Sequence, residues 1–119
     1  MPGIFDLVEA VASENGTLRA DEIEIRPHEF VALARGKPLD LTVRELDLLV
    51  ALVERSGRIV SREELYTVVW GESYRKADRS VDVYIAKLRH KLAVAVPQRR
   101  FIHTHFGFGY RFAPDRGRP

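Results

Sequence analysis

Two tetrads of the form hydroxyl-x-x-Glu, Thr42-Val-Arg-Glu45 and Ser61-Arg-Glu-Glu64, constrain the fold of this chain more than any other feature. At a helix start the hydroxyl accepts from the amide of the third helical residue, and the Glu there reaches back to the cap amide. Two otherwise orphaned donors are then satisfied together. The first predicted helix carries Leu46, Leu49, Val50 and Val53 on one face and stops near Ser56-Gly57; the second carries Leu65, Val68 and Val69 and stops at Trp70-Gly71. Only Arg58-Ile-Val60 intervenes, so the two helices form the start of a helix-turn-helix-like cluster.

After a connector of Glu72 to Asp78, a third helix is predicted over residues 79–92. Val81, Ile85, Leu88 and Leu92 recur at i, i+4, i+7 and i+11, a narrow stripe for burial. Opposite that stripe lie Val83, Ala86, Lys87 and His90, with Tyr84 and Lys91 on one flank and Asp82 and Arg89 on the other. A small, weakly apolar centre ringed by cations suits insertion into a polyanion's groove, whereas a merely wetted face would intersperse acids with bases. The net charge of +2 conceals the same bias. Residues 1–78 hold ten Lys and Arg against fifteen Asp and Glu, while residues 79–119 hold nine against two. A local basic field attracts phosphates whatever the global sum.

Around this cluster the pattern is β-like. Leu18, Ile23 and Ile25, then Phe30, Val31 and Leu33, punctuated by Arg26-Pro27 and by Arg35-Gly-Lys-Pro38, predict a small antiparallel sheet of three or four strands before Leu41. Ile102-His-Thr-His105 and Tyr110-Arg-Phe112, joined by Phe106-Gly-Phe-Gly109, predict a C-terminal β-hairpin over about 101–112, with Arg99 and Arg100 adding cations before it. The expected organisation is an N-terminal extension over 1–16, where Ile4, Leu7, Val8 and Val11 mark one face of a short helix, a domain over 17–112, and a flexible tail over 113–119. The fold class is α+β, in the order of a winged helix: sheet, three helices and a hairpin wing.

These motifs resemble the C-terminal effector domain of OmpR/PhoB-type response regulators, a winged helix-turn-helix, across roughly residues 18–112. The likeness is carried by Leu41-Thr-Val-Arg-Glu-Leu-Asp-Leu-Leu49, Val60-Ser-Arg-Glu-Glu-Leu65 with Trp70-Gly71, Arg79-Ser-Val-Asp-Val-Tyr-Ile-Ala-Lys-Leu-Arg89, and Thr104 with Gly107-Phe-Gly-Tyr-Arg-Phe112. The resemblance implies sequence-specific binding of double-stranded DNA in transcriptional control, with the third helix in the major groove and the wing near the minor groove. It also implies two copies on a direct-repeat site and a bacterial, cytoplasmic setting. Arg79, Lys87 and Arg89 match positions that hold phosphate or base contacts, Val83 one that can touch a thymine methyl, and Thr104 a wing phosphate contact. Tyr84, His90, Lys91 and Arg111 complete the expected DNA-facing set. Glu72, Ser73, Tyr74, Arg75 and Lys76 resemble the segment through which family members can touch RNA polymerase. The sequence departs from the family pattern at Tyr84, Ala86 and above all Phe106, where an Arg is usual. A receiver domain of about 100 residues does not fit before Thr17, which leaves an excised fragment or a stand-alone regulator.

Other chemistry finds little support. The chain has no cysteine, hence no disulfide framework and no thiolate zinc site. His103 and His105 alternate on a strand without a third ligand nearby, so no metal is expected. Gly107-Phe-Gly109 begins a dinucleotide fingerprint but no helix follows it. No catalytic set of Ser, His, Cys or paired carboxylates is recognisable, so neither enzyme activity nor a cofactor is expected. No apolar run reaches the ~18 residues of a membrane span. The competing reading is a winged-helix module for protein contact with DNA binding weakened or lost, motivated by Phe106, Tyr84 and Ala86.

Overall fold

The computed structural model describes residues 16–116, so the helix expected around Ile4 to Val11 lies outside the described residues. Four short strands follow Gly16: β1 (Leu18–Ala20), β2 (Ile23–Arg26), β3 (Val31–Ala34) and β4 (Lys37–Pro38). They pair in chain order as an antiparallel meander. The register sets Ile25 against Ala32 and Ile23 against Ala34. Each branched side chain on the buried face thus has a small neighbour, leaving room for a helix above. Phe30 stands outside this sheet. It closes a 3-10 turn (Pro27–Glu29) in the left-handed region, φ 54°, with its ring exposed.

The helix that covers the sheet is α1 (Val43–Glu54), and its capping box forms as expected: Glu45 N donates to Thr42 Oγ1 at 3.2 Å, and Thr42 N donates to Glu45 Oε1 at 2.9 Å. Leu46, Leu48, Leu49, Ala51, Leu52 and Val53 are all buried, a wider face than an amphipathic surface helix would show. The reason is that α1 packs against β1, both later helices and the C-terminal strand at once. At roughly 1.5–3 kcal/mol for each large side chain removed from water, this central helix contributes more to stability than any capping interaction.

After β5 (Ile59–Val60) comes α2 (Arg62–Trp70), closed by Gly71 at φ 75°. Its capping box is only half made. Glu64 N donates to Ser61 Oγ at 3.0 Å, but the Glu64 carboxylate accepts from Arg55 at 2.9 Å and Arg58 at 2.8 Å instead of reaching back. Two guanidiniums outcompete one amide for it. The buried pair on α2 is Leu65 and Tyr66, while Val68, expected inside, is 46% exposed. The third helix, α3 (Ser80–Ala95), starts one residue later and runs three residues longer than expected. Val81, Ile85, Leu88 and Leu92 form its buried stripe, as the spacing requires.

The chain ends in a hairpin of β6 (Arg99–His105) and β7 (Gly109–Arg116), and β5 adds a third strand in the order β5-β7-β6. An irregularity between Arg100 and Ile102 puts both Phe101 and Ile102 into the core, breaking the simple alternation. Beyond Phe112, where the sequence suggests the ordered domain stops, β7 continues to Arg116 and pairs Asp115 with Arg100 and Arg116 with Arg99. The hairpin is therefore longer at its base than predicted. Gly109 permits its attachment: at φ 141°, a Cβ there would lie 2.0 Å from the Val60 carbonyl oxygen. No helix among the described residues is long and apolar enough to cross a membrane.

Candidate nucleic-acid interface

The stripe that buries one side of α3 leaves the opposite side outward, and Val83, Ala86, Lys87 and His90 are exposed there as the helical periodicity demands. Arg79 caps the start of the helix through its backbone and leaves its side chain exposed. The side chains of Arg79 and His90 make no hydrogen bond or salt bridge with other described residues. Lys87 lies 4.9 Å from the centre of the Tyr84 ring. Tyr84 itself is half-buried, edge-on to Trp70 at 5.6 Å. The ring thus supports the base of the outward face and holds a cation above it.

The two flanks of the helix are drawn inward, each by an identifiable partner. Lys91, expected on the DNA-facing side, is instead tied to the body of the protein: Nζ donates to the Asp40 carbonyl and to Glu45 Oε1, both at 2.7 Å. Glu45 is 2% exposed, and a buried carboxylate requires a cation far more than a solvated duplex face does. Burial pushes the Glu45 carboxyl upward, but the hydrogen bonds from Lys91 and Thr42 outweigh it and hold the pKa below its ordinary value. Arg89 on the other flank reaches the wing. Its Nη2 donates to Thr104 Oγ1 at 2.6 Å and its Nε to the Ile102 carbonyl at 3.3 Å. Burial lowers the pKa of this guanidinium from its ordinary value. Two expected phosphate ligands, Arg89 and Thr104, thus hold each other, which fixes the wing relative to the helix.

Asp82, the lone acid on α3, is neutralised internally. It accepts from Arg62 Nε at 2.7 Å and from the Tyr110 hydroxyl. Burial acts to raise its pKa, yet these donors bring it below the ordinary carboxylate value, while burial and the neighbouring carboxylate raise the Tyr110 phenol. Arg62 and Arg89 also lie over the Tyr110 ring, at 5.3 and 5.7 Å. Asp82, Arg62 and Tyr110 therefore join α2, α3 and β7 at one point. Sequence reasoning missed Arg62 and Tyr110. The reach from Arg62 across an interhelical packing has no local spacing to announce it.

A groove of about 640 Å³ separates α3 from β6, and Ala86, Arg89, His90, Arg100, Thr104 and Phe106 are among the residues lining it. Arg100, absent from the expected site, is exposed here because the irregularity beside it shifts the strand's alternation. Arg111 lies on the wing's outer side, with Nε donating to His105 Nε2 at 3.1 Å. His103 Nε2 is 2.9 Å from the Ala113 carbonyl oxygen and 3.6 Å from Asp115. The two histidines thus have separate strand partners, and no group of three potential ligands is placed to hold a metal among the described residues. Arg99 is likewise occupied, by Asp21 at 3.0 Å and Glu22 at 3.2 Å.

In the connector before α3, Glu72, Ser73, Arg75 and Lys76 are exposed, whereas Tyr74 packs edge-on against Tyr66 at 5.6 Å. Tyr66 stacks on Trp70 at 5.1 Å, and Arg44 lies 5.0 Å from the Trp70 ring. A continuous aromatic row runs from the connector to the Tyr84 and Lys87 pair on α3.

Residues 36–112 match the family described as "Transcriptional regulatory protein, C terminal". The chain is 42% identical over 84 residues to the uncharacterized transcriptional regulatory protein YclJ of Bacillus subtilis strain 168, a match covering 70% of this chain and 36% of that one. It is 36% identical over 115 residues to the response regulator ArlR of Staphylococcus saprophyticus, covering 89% and 52%. These matches take in about half or less of each relative. Among solved structures, the DNA-binding domain of Escherichia coli CpxR is similar at a TM-score of 0.75 and 32% identity, over 85% of this chain and 98% of that one. The Klebsiella pneumoniae RstA DNA-binding domain in complex with the RstA box gives 0.74 and 32%, over 82% and 96%. The family match spans well over half of the chain, and the chain belongs to the family of C-terminal domains of transcriptional regulatory proteins.

Proposed function

We propose that this chain binds double-stranded DNA in a sequence-dependent way to regulate transcription, with α3 in the major groove and the β6–β7 wing beside it. The observation that carries the reading is the outward face of α3: Arg79, Lys87 and His90 around Val83 are exposed and form no salt bridge among the described residues, and Arg79 only shares the field of Asp82. The one carboxylate on that helix, Asp82, is spent on Arg62 and Tyr110. Arg and Lys at such positions donate to phosphate or to guanine, and the Val83 side chain suits a thymine methyl. Arg89 and Thr104, though hydrogen-bonded together, border the same groove and can turn their remaining polar capacity to a phosphate. Arg111 adds a cation on the wing. Lys91 has a structural role in this reading.

Two copies on a direct repeat, contact of the Glu72–Asp78 connector with RNA polymerase, and a place in the cytoplasm of a bacterium belong to the same proposal, supported by the family to which the chain belongs. The exposed Phe106 and Phe108 favour a second reading, a protein-contact module. Salt titration separates the two. With Arg79, Lys87, Arg89, Arg100 and Arg111 each neutralising one phosphate, log K against log[salt] should fall with a slope of roughly −4 to −5 on duplex DNA. A flat line, or no complex in dilute buffer, would decide for protein contact.

A further inference from the structure

At the tip of the wing, Phe106 is 86% exposed, more than any other large apolar side chain among the described residues. The turn holds it there: Phe108 N donates to the His105 carbonyl at 2.8 Å and Gly107 takes φ 84°. The ring is also not isolated on a remote surface. It lines the groove between α3 and β6 together with Ala86, Arg89, His90, Arg100 and Thr104, and it lies two residues beyond Thr104, where Arg89 of α3 bonds the wing.

The succession from α3 through the Arg89–Thr104 contact to the hairpin tip corresponds to the succession of grooves on a duplex. In B-DNA a major groove about 12 Å wide and a minor groove about 6 Å wide are divided by a ridge of sugar and phosphate. With α3 in the major groove, the ridge meets the Arg89–Thr104 pair that joins helix and wing. The next feature beyond it is the minor groove, and the exposed ring beyond that pair, at the tip of the hairpin, is Phe106.

We propose that Phe106 enters the minor groove and makes the wing select A·T over G·C pairs by exclusion, in place of a cation attracted to the groove. This rests on the duplex-binding reading above. The groove walls are deoxyribose C–H groups, which an aromatic ring can cover with a gain from leaving water. The floor decides the preference. A·T pairs present only acceptors there, whereas G·C adds the guanine 2-amino group, a donor that projects towards the ring. Phe106 offers that donor no acceptor and displaces the water that served it, so the group is left unsatisfied. An aromatic ring at this position therefore discriminates without adding charge.

The test uses the whole chain and duplexes enriched by it from random-sequence DNA, with the wing-facing steps located by hydroxyl-radical footprinting. Those steps are then replaced by A·T, inosine·C or G·C; inosine keeps the major-groove edge of guanine and lacks only the 2-amino group. The parent should bind the A·T and inosine·C duplexes alike and the G·C duplex on the order of 10-fold more weakly. Phe106→Ala should bind the A·T duplex on the order of 10-fold more weakly than the parent. Its preference among the three should shrink to less than about 2-fold, with an unchanged salt slope because no cation is removed. Since the ring is exposed, its melting should match the parent's. If the variant keeps the affinity or the preference, the exclusion mechanism is overturned while duplex binding stands. If the parent forms no complex with any enriched duplex, both fail.

Discussion

Replacing Lys91 by Met separates a residue that holds the fold from one that holds DNA. The change keeps the long apolar stem and removes the ammonium from Glu45, whose side chain is 3% exposed. Taking one partner from a buried ion pair costs about 3–5 kcal/mol because the other charge stays behind. Here Thr42 N still donates to the carboxylate and the Lys91 side chain is 33% exposed, so the lower end, about 3 kcal/mol, applies. For a domain of this size that corresponds to a fall in Tm of about 12 °C. The pH dependence provides an internal check. In the parent the depressed Glu45 pKa contributes stability above the unfolded-state value of about 4, lost as pH falls through the folded value. In the variant burial acts with less opposition and raises the folded pKa, so stability is lost as pH rises through it. The deficit should therefore be largest near neutrality and shrink in acid. Adding Glu45→Gln to Lys91→Met should recover most of the loss, since no buried charge remains. Thermal melts from pH 3 to 8, with a salt titration of duplex binding, measure all of this. A variant that melts with the parent but binds DNA with a shallower salt slope would refute the assignment.

Lys87→Ala should weaken duplex binding by about 1–3 kcal/mol and change melting little, since the contact given up is an exposed one over the Tyr84 ring; unchanged affinity in a titration removes Lys87 from the interface. Gly109→Ala forces a Cβ against the Val60 carbonyl at a φ of 141°. It should cost about 3 kcal/mol or more, read by urea denaturation, and a near-neutral result would mean β5 and β7 separate freely. Asp82→Asn weakens the bonds to Arg62 and Tyr110 and should cost about 1–3 kcal/mol near neutral pH. Because the folded pKa of Asp82 is depressed, its contribution exists above the unfolded-state value of about 4 and is lost as pH falls through the folded one. The difference between parent and variant in urea melts should therefore vanish in strong acid, and a constant difference would contradict the account.

Much of the architecture is legible because it is specified locally. Thr42 and Glu45 announce α1 through groups three residues apart, and the three- and four-residue steps of Val81, Ile85, Leu88 and Leu92 orient α3 without reference to any neighbour. The outward centre of Val83, Ala86, Lys87 and His90 follows from the same arithmetic. What escaped depends on partners outside the repeat of the element itself. Lys91 turns inward because Glu45, on another helix, is buried, and Glu64 abandons its cap because Arg55 and Arg58 reach it first. Val68, expected inside, is exposed, while Tyr66 is buried and packs on Trp70 and Tyr74. The extra length of β7 likewise depends on Arg99 and Arg100, whose identity as a strand no hydrophobic alternation reveals.

The two residues of β5 bear on the order in which the molecule assembles. Ile59 and Val60 pair with Arg111 and Tyr110, so the last sheet closes only when the C-terminus returns across both intervening helices to the short connector after α1. The meander of β1–β4, by contrast, joins neighbours, and closing such short loops loses little chain entropy. On a chain leaving the ribosome the meander can form early, while Val60 must wait for Tyr110 and Phe112 to emerge. Until then the apolar surface that β7 will cover remains open, so this single long-range pairing sets the interval in which a nascent chain is exposed to chaperones and to aggregation.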